Sequence, residues 1–534
     1  MNGWYILGLE GSDWREKLLF FTTIGFVCSL ASVGIINPDL LANTMNGAFD
    51  FVIHRFGWWF MLLGFLLSAI MVFFAFSRYG NVRIGGPDAK PEFDTFSWFS
   101  MVFTVGFAAS VIFWGVAEPA LIFNNPPKPM PVEGSTKSIA LAFMFLHDIL
   151  PGLVAWFMPL AVAFGIILYT RGAESYKISS MLEPVLDRER YAVVYWVTDL
   201  AALIAIVGGL ATSLGLTGQQ LSKIISSVYG IETGVITYGL FVLIGVLFLV
   251  DVWLGLRSGI RNMARATVVL VTILFSILLV VGPTFYIFNI SLDAAGIWIG
   301  SLPRLMLYTG GTANSTWAYE WTSFWWAWFA AWGIFVGSFV ARVSKGRTIR
   351  ETFIILGIAP AFFLFIQHGI LGGWTLAPGN VDAITTALTE NGEPAALAEA
   401  INITPMSPLI GLLFMLVLTG YVITSLDSAV FMLSSINIGD EDPNARNRAW
   451  WGVVLAALGL MTLELPGTRP LESFSAVLAL PFTVFFLVIL YATYVTIRDH
   501  YHDVYGSDRD SLFTRHEADS ETPDESSSTS YADD

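Results

Sequence analysis

The chain has 534 residues, of which 55% are hydrophobic and 13% charged, and its mean hydropathy is +0.66. Soluble domains carry about 25% charged residues, so this composition excludes a water-soluble fold and indicates an integral membrane protein with lipid as its solvent. The net charge of −15 excludes nucleic acid as a partner, because phosphate backbones bind basic surfaces. Cys28 is the single cysteine, which excludes a disulfide framework.

Apolar runs dominate the chain, and a bilayer-spanning helix needs about 20 such residues. We place twelve spans near residues 17–37, 57–77, 96–122, 137–170, 192–226, 233–254, 264–288, 321–344, 350–373, 406–437, 449–466 and 472–497. The first run follows a polar to mixed segment, 1–16, and is predicted to be a retained span and not a cleaved signal. The prediction is one all-helical membrane domain with twelve transmembrane helices.

The loops between these spans differ in their basic residues. Most of the 27 Lys and Arg residues fall in the N-terminal segment, in the C-terminal segment and in the loops after even-numbered spans, as with Arg78, Arg83 and Lys90 after span 2. Basic loops stay on the cytoplasmic side of a membrane. We therefore expect a multi-pass protein of the cell (plasma) membrane with both termini in the cytoplasm.

The C-terminal tail, residues 498–534, is acidic. From Glu517 onward it consists mainly of Asp, Glu, Ser and Thr. Such a segment has too few apolar residues to form a core, so its end is predicted to be disordered.

Span 3 carries small residues where the middle of the membrane is expected, among them Gly106, Ala108 and Ser110. Membrane transporters interrupt helices near the bilayer midplane, where freed backbone groups hold substrate and ions. We expect such an interruption in span 3. Close helix packing by small residues, without an interruption, is the alternative.

Residues 321–351, WTSFWWAWFAAWGIFVGSFVARVSKGRTIRE, join an aromatic-crowded helix to a basic end. Interfacial tryptophans gather at the ends of a span, whereas Trp328 and Trp332 lie within it. Their π faces, together with Phe329, favour a pocket for a cation. Gly333 and Gly337 favour close contact with another backbone.

This string resembles the signature helix of the betaine/carnitine/choline transporter family, and the resemblance covers about residues 15–500. It implies an all-α fold with an inverted five-helix-repeat, LeuT-like core, and a homotrimer. The implied organisation is a cytoplasmic N-terminus (1–16), two peripheral helices (17–95), a first repeat (96–290), an amphipathic helix on the extracellular side (291–320), a second repeat (321–497) and the cytoplasmic tail (498–534).

Span 10 contains adjacent hydroxyls, Thr424 and Ser425, in a string that resembles the family's T-S-x-D-S motif. The resemblance assigns this pair to a sodium site. Alignment backwards from Gly115 assigns its backbone ligands to Thr104 and Phe107 in span 3. Sodium is a small hard cation that needs several oxygens, which hydroxyls and freed carbonyls supply. Hydroxyls that bond only to their own helix are the alternative.

Span 4, HDILPGLVAW, departs from the aromatic cage implied by the resemblance. Asp148 and Leu153 replace two tryptophans, Trp156 replaces a tyrosine, and Phe329 of span 8 replaces a tryptophan. The predicted substrate-binding residues are Asp148, Trp156, Trp328, Phe329 and Trp332, with Gly106, Ala108 and Ser110.

Asp148 admits three interpretations, because a buried carboxylate is unfavourable unless it is paired. It could contact a cationic substrate nitrogen. It could carry a coupling proton, or it could face a water-filled vestibule.

These features predict a secondary active transporter. It would import a small osmolyte-like quaternary ammonium or cationic-nitrogen compound of the betaine, choline or carnitine type, coupled to sodium, by alternating access. The alternative is a proton-coupled or exchange-type carrier of another amine or zwitterion. A channel is less favoured, because the polar groups gather at one depth. An enzyme is also less favoured, because the six histidines form no H-E-x-x-H pattern. No catalytic residue and no cofactor other than sodium is predicted.

Overall fold

The computed structural model describes residues 3–106, 109–232, 234–254 and 259–518; at residues 3, 104, 109, 110, 251–254, 259–261 and 502–518 the description is confined to the backbone. Within these ranges the chain forms helices and no strand, with one isolated antiparallel bridge between Arg83 and Thr348. The predicted all-helical class is confirmed.

The α-helices are α1 (Gly3–Leu7), α2 (Trp14–Ile36), α3 (Pro38–Phe76), α4 (Thr95–Gly106), α5 (Ala109–Asn124), α6 (Thr136–Asp148), α7 (Gly152–Trp156), α8 (Met158–Phe164), α9 (Ala192–Tyr229), α10 (Gly234–Leu254), α11 (Gly259–Val281), α12 (Thr284–Gly300), α13 (Leu302–Met306), α14 (Phe324–Val343), α15 (Ile349–Phe353), α16 (Ala359–Leu376), α17 (Asn380–Asn391), α18 (Glu393–Asn402), α19 (Ser407–Ile438), α20 (Ala445–Thr462) and α21 (Arg469–Ala518). Short π-helical turns at Gly165–Thr170, Tyr319–Ser323 and Ile354–Ile358 extend α8, α14 and α15, and 3-10 turns lie at Arg78–Asn81, Ile178–Leu182 and Gly311–Ala313.

Nine helical stretches among the described residues are long and apolar enough to cross a membrane: Trp14–Ile36, Pro38–Phe76, Thr136–Thr170, Ala192–Tyr229, Asn262–Val281, Tyr319–Val343, Ile349–Leu376, Ser407–Ile438 and Arg469–Tyr501. Predicted span 3 corresponds to α4 and α5, span 6 to α10 and span 11 to α20. The total of twelve stays a prediction.

The polar segment expected to form a helix over 291–320 is helical from an earlier residue. Helix α11 ends at Val281, and α12 begins at Thr284 after Gly282 and Pro283. Proline has no N–H to donate and disfavours helical geometry at the residue before it, so the chain turns there. Helix α12 then packs against α6 and α16.

Two further segments contain more helix than their polarity indicates. Helices α17 and α18 lie within the acidic stretch 373–405, and α18 buries Leu397 and Ile401 in a face that packs against α9. Helix α21 continues past residue 498 to Ala518. The predicted disordered end, residues 519–534, lies outside the described residues.

The interruption of span 4 positions the site. Helix α6 ends at Asp148, Ile149 has the non-helical angles φ −105° and ψ −89°, and α7 begins at Gly152. Pro151 has no N–H for the His147 carbonyl, so the regular bonding pattern stops here. A Cβ on Gly152 would lie 2.2 Å from the His147 oxygen, which explains the glycine. In span 3, α4 ends at Gly106 and α5 begins at Ala109, with 107 and 108 outside the described residues.

The glycines of α14 bring it against the second part of span 4. A Cβ on Gly333 would lie 2.3 Å from the Trp156 carbonyl oxygen, and one on Gly337 would lie 2.6 Å from the Leu160 Cβ. The predicted close backbone contact is confirmed, and it lies between α14 and the α7–α8 segment. Small residues permit such an approach, which aligns the α14 aromatics with the interruption.

Basic residues hold the opposite end of α14, which we name the Arg342 end. Arg342 contacts Glu92 at 2.9 Å and Glu441 at 2.8 Å. Arg350 donates from Nε to the Ala75 carbonyl at 2.9 Å and from Nη2 to the Ser77 carbonyl at 3.1 Å. A guanidinium satisfies the open carbonyls at a helix C-terminus, so Arg350 ties the end of α3 to the segment after α14.

Candidate functional site

The candidate site lies toward the other end of the bundle, which we name the Asn124 end. Lys137 Nζ, near the start of α6, donates to the Leu376 carbonyl at the end of α16 at 2.8 Å. Trp317 Nε1, just before the turn that leads into α14, donates to the Asn125 carbonyl after α5 at 2.8 Å. These bonds join α6 to α16 and the segment before α14 to the end of α5. The interruption of span 4 lies among these four segments.

An aromatic stack on α14 faces this interruption. The Trp325 ring lies 5.4 Å from Trp328 and 5.8 Å from Phe329, at interplanar angles of 28° and 29°. A Cβ on Gly152 would lie 3.2 Å from Phe329 Cε2, so the phenyl ring covers the start of α7. Trp325 is not among the predicted site residues, although its spacing of three and four residues from Trp328 and Phe329 places all three on one helix face.

The other two predicted rings point elsewhere. Trp156 packs against Trp326 and Phe486, with ring centroids 6.5 and 5.8 Å apart. Trp332 Nε1 donates to the Gly209 carbonyl of α9 at 3.2 Å. In this conformation the predicted box is therefore divided: Trp328 and Phe329 share the stack, whereas Trp156 and Trp332 lie in separate helix contacts.

The small residues predicted in span 3 are only partly visible. Gly106 is buried, and a Cβ on it would lie 3.4 Å from Phe157 Cε2. Phe157 in turn makes an edge contact with Phe329 at 5.3 Å, so Gly106 lies close to the stack. Only the backbone of Ser110 is described, and Ala108 lies outside the described residues.

Four buried titratable groups lie beside the stack: Glu118 of α5, His147 and Asp148 of α6, and His368 of α16. We name them the acid–imidazole cluster. His147 Nδ1 lies 2.5 Å from Glu118 Oε1, and its Nε2 lies 2.9 Å from Thr322 Oγ1. Trp325 stacks on the His147 ring at 6.2 Å, which joins the cluster to the aromatic stack.

Asp148 makes a different contact. Its Oδ2 lies 2.8 Å from His368 Nε2, but off the line of a regular hydrogen bond, and Asp148 Oδ1 and His368 Nδ1 have no hydrogen-bond partner among the described residues. Asp148 is 1% exposed, so in this conformation it does not face a water-filled vestibule. Sequence reasoning missed His368 and did not place Glu118 in the site. The available signal was an ionisable residue within an apolar span.

The residues predicted to bind sodium are resolved in part. Thr424 Oγ1 donates to the Gly420 and Tyr421 carbonyls of its own helix at 2.9 and 3.1 Å, whereas the buried Ser425 hydroxyl has no hydrogen-bond partner within the described parts of the chain. A hydroxyl that donates its hydrogen keeps its lone pairs, so both oxygens can still coordinate a cation. Helix α19 packs against α4 and α5. The Thr104 side chain and all of Phe107 lie outside the described parts.

Comparison with known proteins gives consistent matches along nearly the whole chain. The model of the betaine/carnitine/choline family transporters matches residues 18–502. A probable glycine betaine transporter of Desulfitobacterium hafniense is 31% identical over 502 residues, which cover 92% of this chain and 99% of that protein. The glycine betaine transporter OpuD of Bacillus subtilis is 30% identical, covering 90% and 94%. An ectoine/hydroxyectoine transporter of Virgibacillus pantothenticus is 29% identical, covering 88% and 94%.

The match to the family model begins near the start of α2 and ends within α21, so it includes every segment that forms the site. Relatives of this kind are transporters, not enzymes, and the apolar helices make the chain a multi-pass membrane protein. The chain belongs to the betaine/carnitine/choline family of transporters.

Proposed function

We propose that the protein is a secondary active transporter that imports a small quaternary ammonium or related cationic-nitrogen osmolyte across the plasma membrane, coupled to sodium, by alternating access. In this proposal both termini are cytoplasmic and the Asn124 end faces outward. The observation that carries it is the stack of Trp325, Trp328 and Phe329 against the interruption of span 4.

The stack fits the chemistry of such a substrate. A quaternary nitrogen has no N–H to donate, so it is recognised by aromatic faces, each contributing about 0.5–2 kcal/mol. The interruption adds the His147 carbonyl, which Pro151 cannot bond. Phe329 lies between the two, because its ring covers Gly152 and stacks on Trp325. A substrate nitrogen held there would meet a π face on one side and a carbonyl dipole on the other.

Coupling to sodium is supported by the buried hydroxyls of α19. No described residue forms a hydrogen bond with Ser425 Oγ, and Thr424 Oγ1 keeps its lone pairs, so two oxygens are available in a helix that packs against span 3. A homotrimer is supported by the family resemblance.

Uptake into proteoliposomes tests the proposal. Glycine betaine, choline, carnitine and ectoine are supplied separately, with a sodium gradient or with potassium in its place. We expect saturable uptake of at least one quaternary ammonium compound that requires sodium. Preference for ectoine, which the Virgibacillus relative transports by name, would instead favour a carrier of zwitterions whose nitrogens bear N–H groups and are not quaternary. Sodium-independent uptake of every compound would reject the coupling proposal.

The matched variants are Phe329→Leu and Phe288→Leu. Phe288 of α12 is 53% exposed and lies on the outer face of that helix, so its replacement controls for the chemical change alone. We expect Phe329→Leu to raise the KM for a quaternary ammonium substrate by about two- to fivefold, corresponding to about 0.5–1 kcal/mol of lost cation–π attraction, and Phe288→Leu to leave it unchanged. Equal KM values in the two variants would place the substrate away from the stack.

A further inference from the structure

The acid–imidazole cluster holds two carboxyl groups and two imidazoles inside the bundle, with no arginine or lysine bound to any of them among the described residues. Glu118 and His147 are 0% exposed, as is His368, and Asp148 is 1% exposed. Buried carboxylates are ordinarily paired with cations, because an isolated charge in a low-dielectric interior is unfavourable. The only charge that can balance this cluster from within is a proton.

The charged and titratable groups on the elements around Asp148 do not supply a cation. Two nearby basic side chains bind carbonyl groups: Lys137 of α6 binds that of Leu376, and Arg304 of α13 binds that of Pro131. Two further acids lie outside the cluster, since Glu320 binds Thr316 and Asp293 of α12 is exposed. Helix α7 has no ionisable residue, the one in α14 is Arg342 at the opposite end, and α5 and α16 contribute Glu118 and His368.

The number of protons in the cluster follows from these contacts. A carboxylate and an imidazole within hydrogen-bond distance share at least one hydrogen, so with one per pair both imidazoles are neutral, both carboxylates are ionised, and the net charge is −2. One added proton per pair forms two imidazolium–carboxylate pairs, or two neutral acids beside neutral imidazoles, with net charge 0. The cluster can therefore take up protons one at a time as water is excluded.

The two pairs differ in their capacity to do so. His147 is satisfied at both nitrogens when Nδ1 donates to Glu118 and Nε2 accepts from the Thr322 hydroxyl, so a neutral imidazole suffices there. Among the described residues, Asp148 Oδ1 and His368 Nδ1 have no hydrogen-bond partner, and the 2.8 Å contact between Asp148 Oδ2 and His368 Nε2 is misaligned. In the other pair only Glu118 Oε2 lacks a partner within the same part of the chain. The Asp148–His368 pair thus has room to bind and release a proton with little rearrangement.

We propose that the Asp148–His368 pair is a proton-binding site whose occupancy changes during the transport cycle. This inference rests on the proposed function for the cycle itself. When the site is open to water, the pair exchanges one proton with the solvent. When the site closes, desolvation favours the pair with the added proton, which is bound to His368 nitrogen or Asp148 oxygen and makes the net charge of the pair zero. When the site opens on the other side, that bond breaks and the proton returns to water.

The charge of the substrate sets the direction of the coupling. A zwitterion adds no net charge, so the neutral, protonated pair closes around it, and proton and substrate move in the same direction. A cation that reaches Asp148 can replace the proton, and the two then compete. The geometry therefore predicts that acidification promotes uptake of zwitterions and opposes uptake of cations.

Transport by the full-length protein provides the first test. Proteoliposomes loaded with a pH-sensitive dye receive the accepted substrate under a sodium gradient. We expect the luminal pH to change with uptake in the parent protein and in two controls, Asp382→Asn and His54→Gln, which alter exposed groups of the same chemical types. In Asp148→Asn and His368→Gln, the number of protons moved per substrate, normalised to the uptake that each variant retains, should fall at least tenfold. Coupled proton movement that persists unchanged in Asp148→Asn would overturn the inference, as would uptake by the parent without any proton movement.

Infrared difference spectroscopy of purified protein provides a second test that does not depend on any substrate. A change of pH should alter a buried carboxyl or imidazole band, and this change should be absent in both Asp148→Asn and His368→Gln and present in the two controls. An identical titration in all four variants would overturn the proton site. If no compound is transported but the titration is removed by both cluster variants, the proposed function fails and the proton site stands.

Discussion

Replacing Gly333 by alanine tests the closest helix contact at the site. The added Cβ would lie 2.3 Å from the Trp156 carbonyl oxygen, whereas ordinary contact begins near 3.4 Å, so α14 and α7 must separate by about 1 Å. The neighbour is backbone, which cannot rotate away. We expect overpacking to destabilise the protein by about 1–3 kcal/mol, and to move Phe329 away from the interruption.

The matched control is Gly296→Ala on α12, where an added Cβ meets nothing within 4 Å. Alanine is favoured over glycine inside a helix, so this change should stabilise by about 0.5–1 kcal/mol. The two variants should therefore differ by about 1.5–4 kcal/mol, with Gly333→Ala unfolding at the lower temperature by circular dichroism in detergent. If Gly333→Ala melts at or above the Gly296→Ala temperature and transports at the parent rate, the close contact between α14 and α7 is wrong.

Three further substitutions address the ion site, the divided aromatic box and the Arg342 end. Ser425→Ala should raise the half-saturating sodium concentration by tenfold or more, about 1.4 kcal/mol, and Ser428→Ala, whose hydroxyl donates to the Thr424 carbonyl of its own helix, should not; equal sodium dependence would remove Ser425 from the site. Trp332→Leu should weaken cationic substrates by about 0.5–2 kcal/mol, with Trp450→Leu as control because its Nε1 also donates to a carbonyl, and equal affinities would separate Trp332 from the substrate. Arg342→Gln should destabilise the protein by about 1.5 kcal/mol, because Arg342 forms ion pairs with two carboxylates and its side chain is 19% exposed. Arg188→Gln should change stability by less than about 0.5 kcal/mol, because the Arg188 side chain is 47% exposed. Similar melting temperatures of the two variants would contradict this prediction.

The sequence determines much of the fold because the bilayer permits few solutions. Apolar runs of sufficient length have to be helices, since lipid offers no hydrogen-bond partners, and the glycines of α14 indicate a close backbone neighbour. The boundaries of α12, and the helices within 373–405, were not predicted, because short polar helices are stabilised by tertiary packing and not by their own pattern.

The site was predictable only in part. Trp325, Trp328 and Phe329 share one helix face by spacing. The packing of Trp156 against Trp326 and Phe486 depends on the interruption at 149–151, after which the helical spacing from Asp148 no longer applies. The pairing of Asp148 with His368 joins two residues far apart in sequence, which no local pattern indicates. The Thr424 hydroxyl forms hydrogen bonds with its own helix, as the alternative interpretation expected. Ser425 Oγ has no partner among the described residues, which depends on helix packing that the local sequence does not indicate.

The bonds between α3 and the segments around α14 have a mechanical consequence. Besides the bonds of Arg350 to the end of α3, Ser323 Oγ donates to the Gly57 carbonyl at 2.9 Å, and the Trp326 ring lies so close to Gly64 that a Cβ there would be 2.7 Å from it. These attachments are distributed along the second half of α3, from Gly57 to its end. A rotation of α14 would therefore carry α3 with it as one rigid lever, and the sliding surface would lie on the opposite side of α14. Helix α3, which lies outside both predicted repeats, would then move together with α14. The lipid contacts of α3 would therefore change the free energy of the conformational step directly.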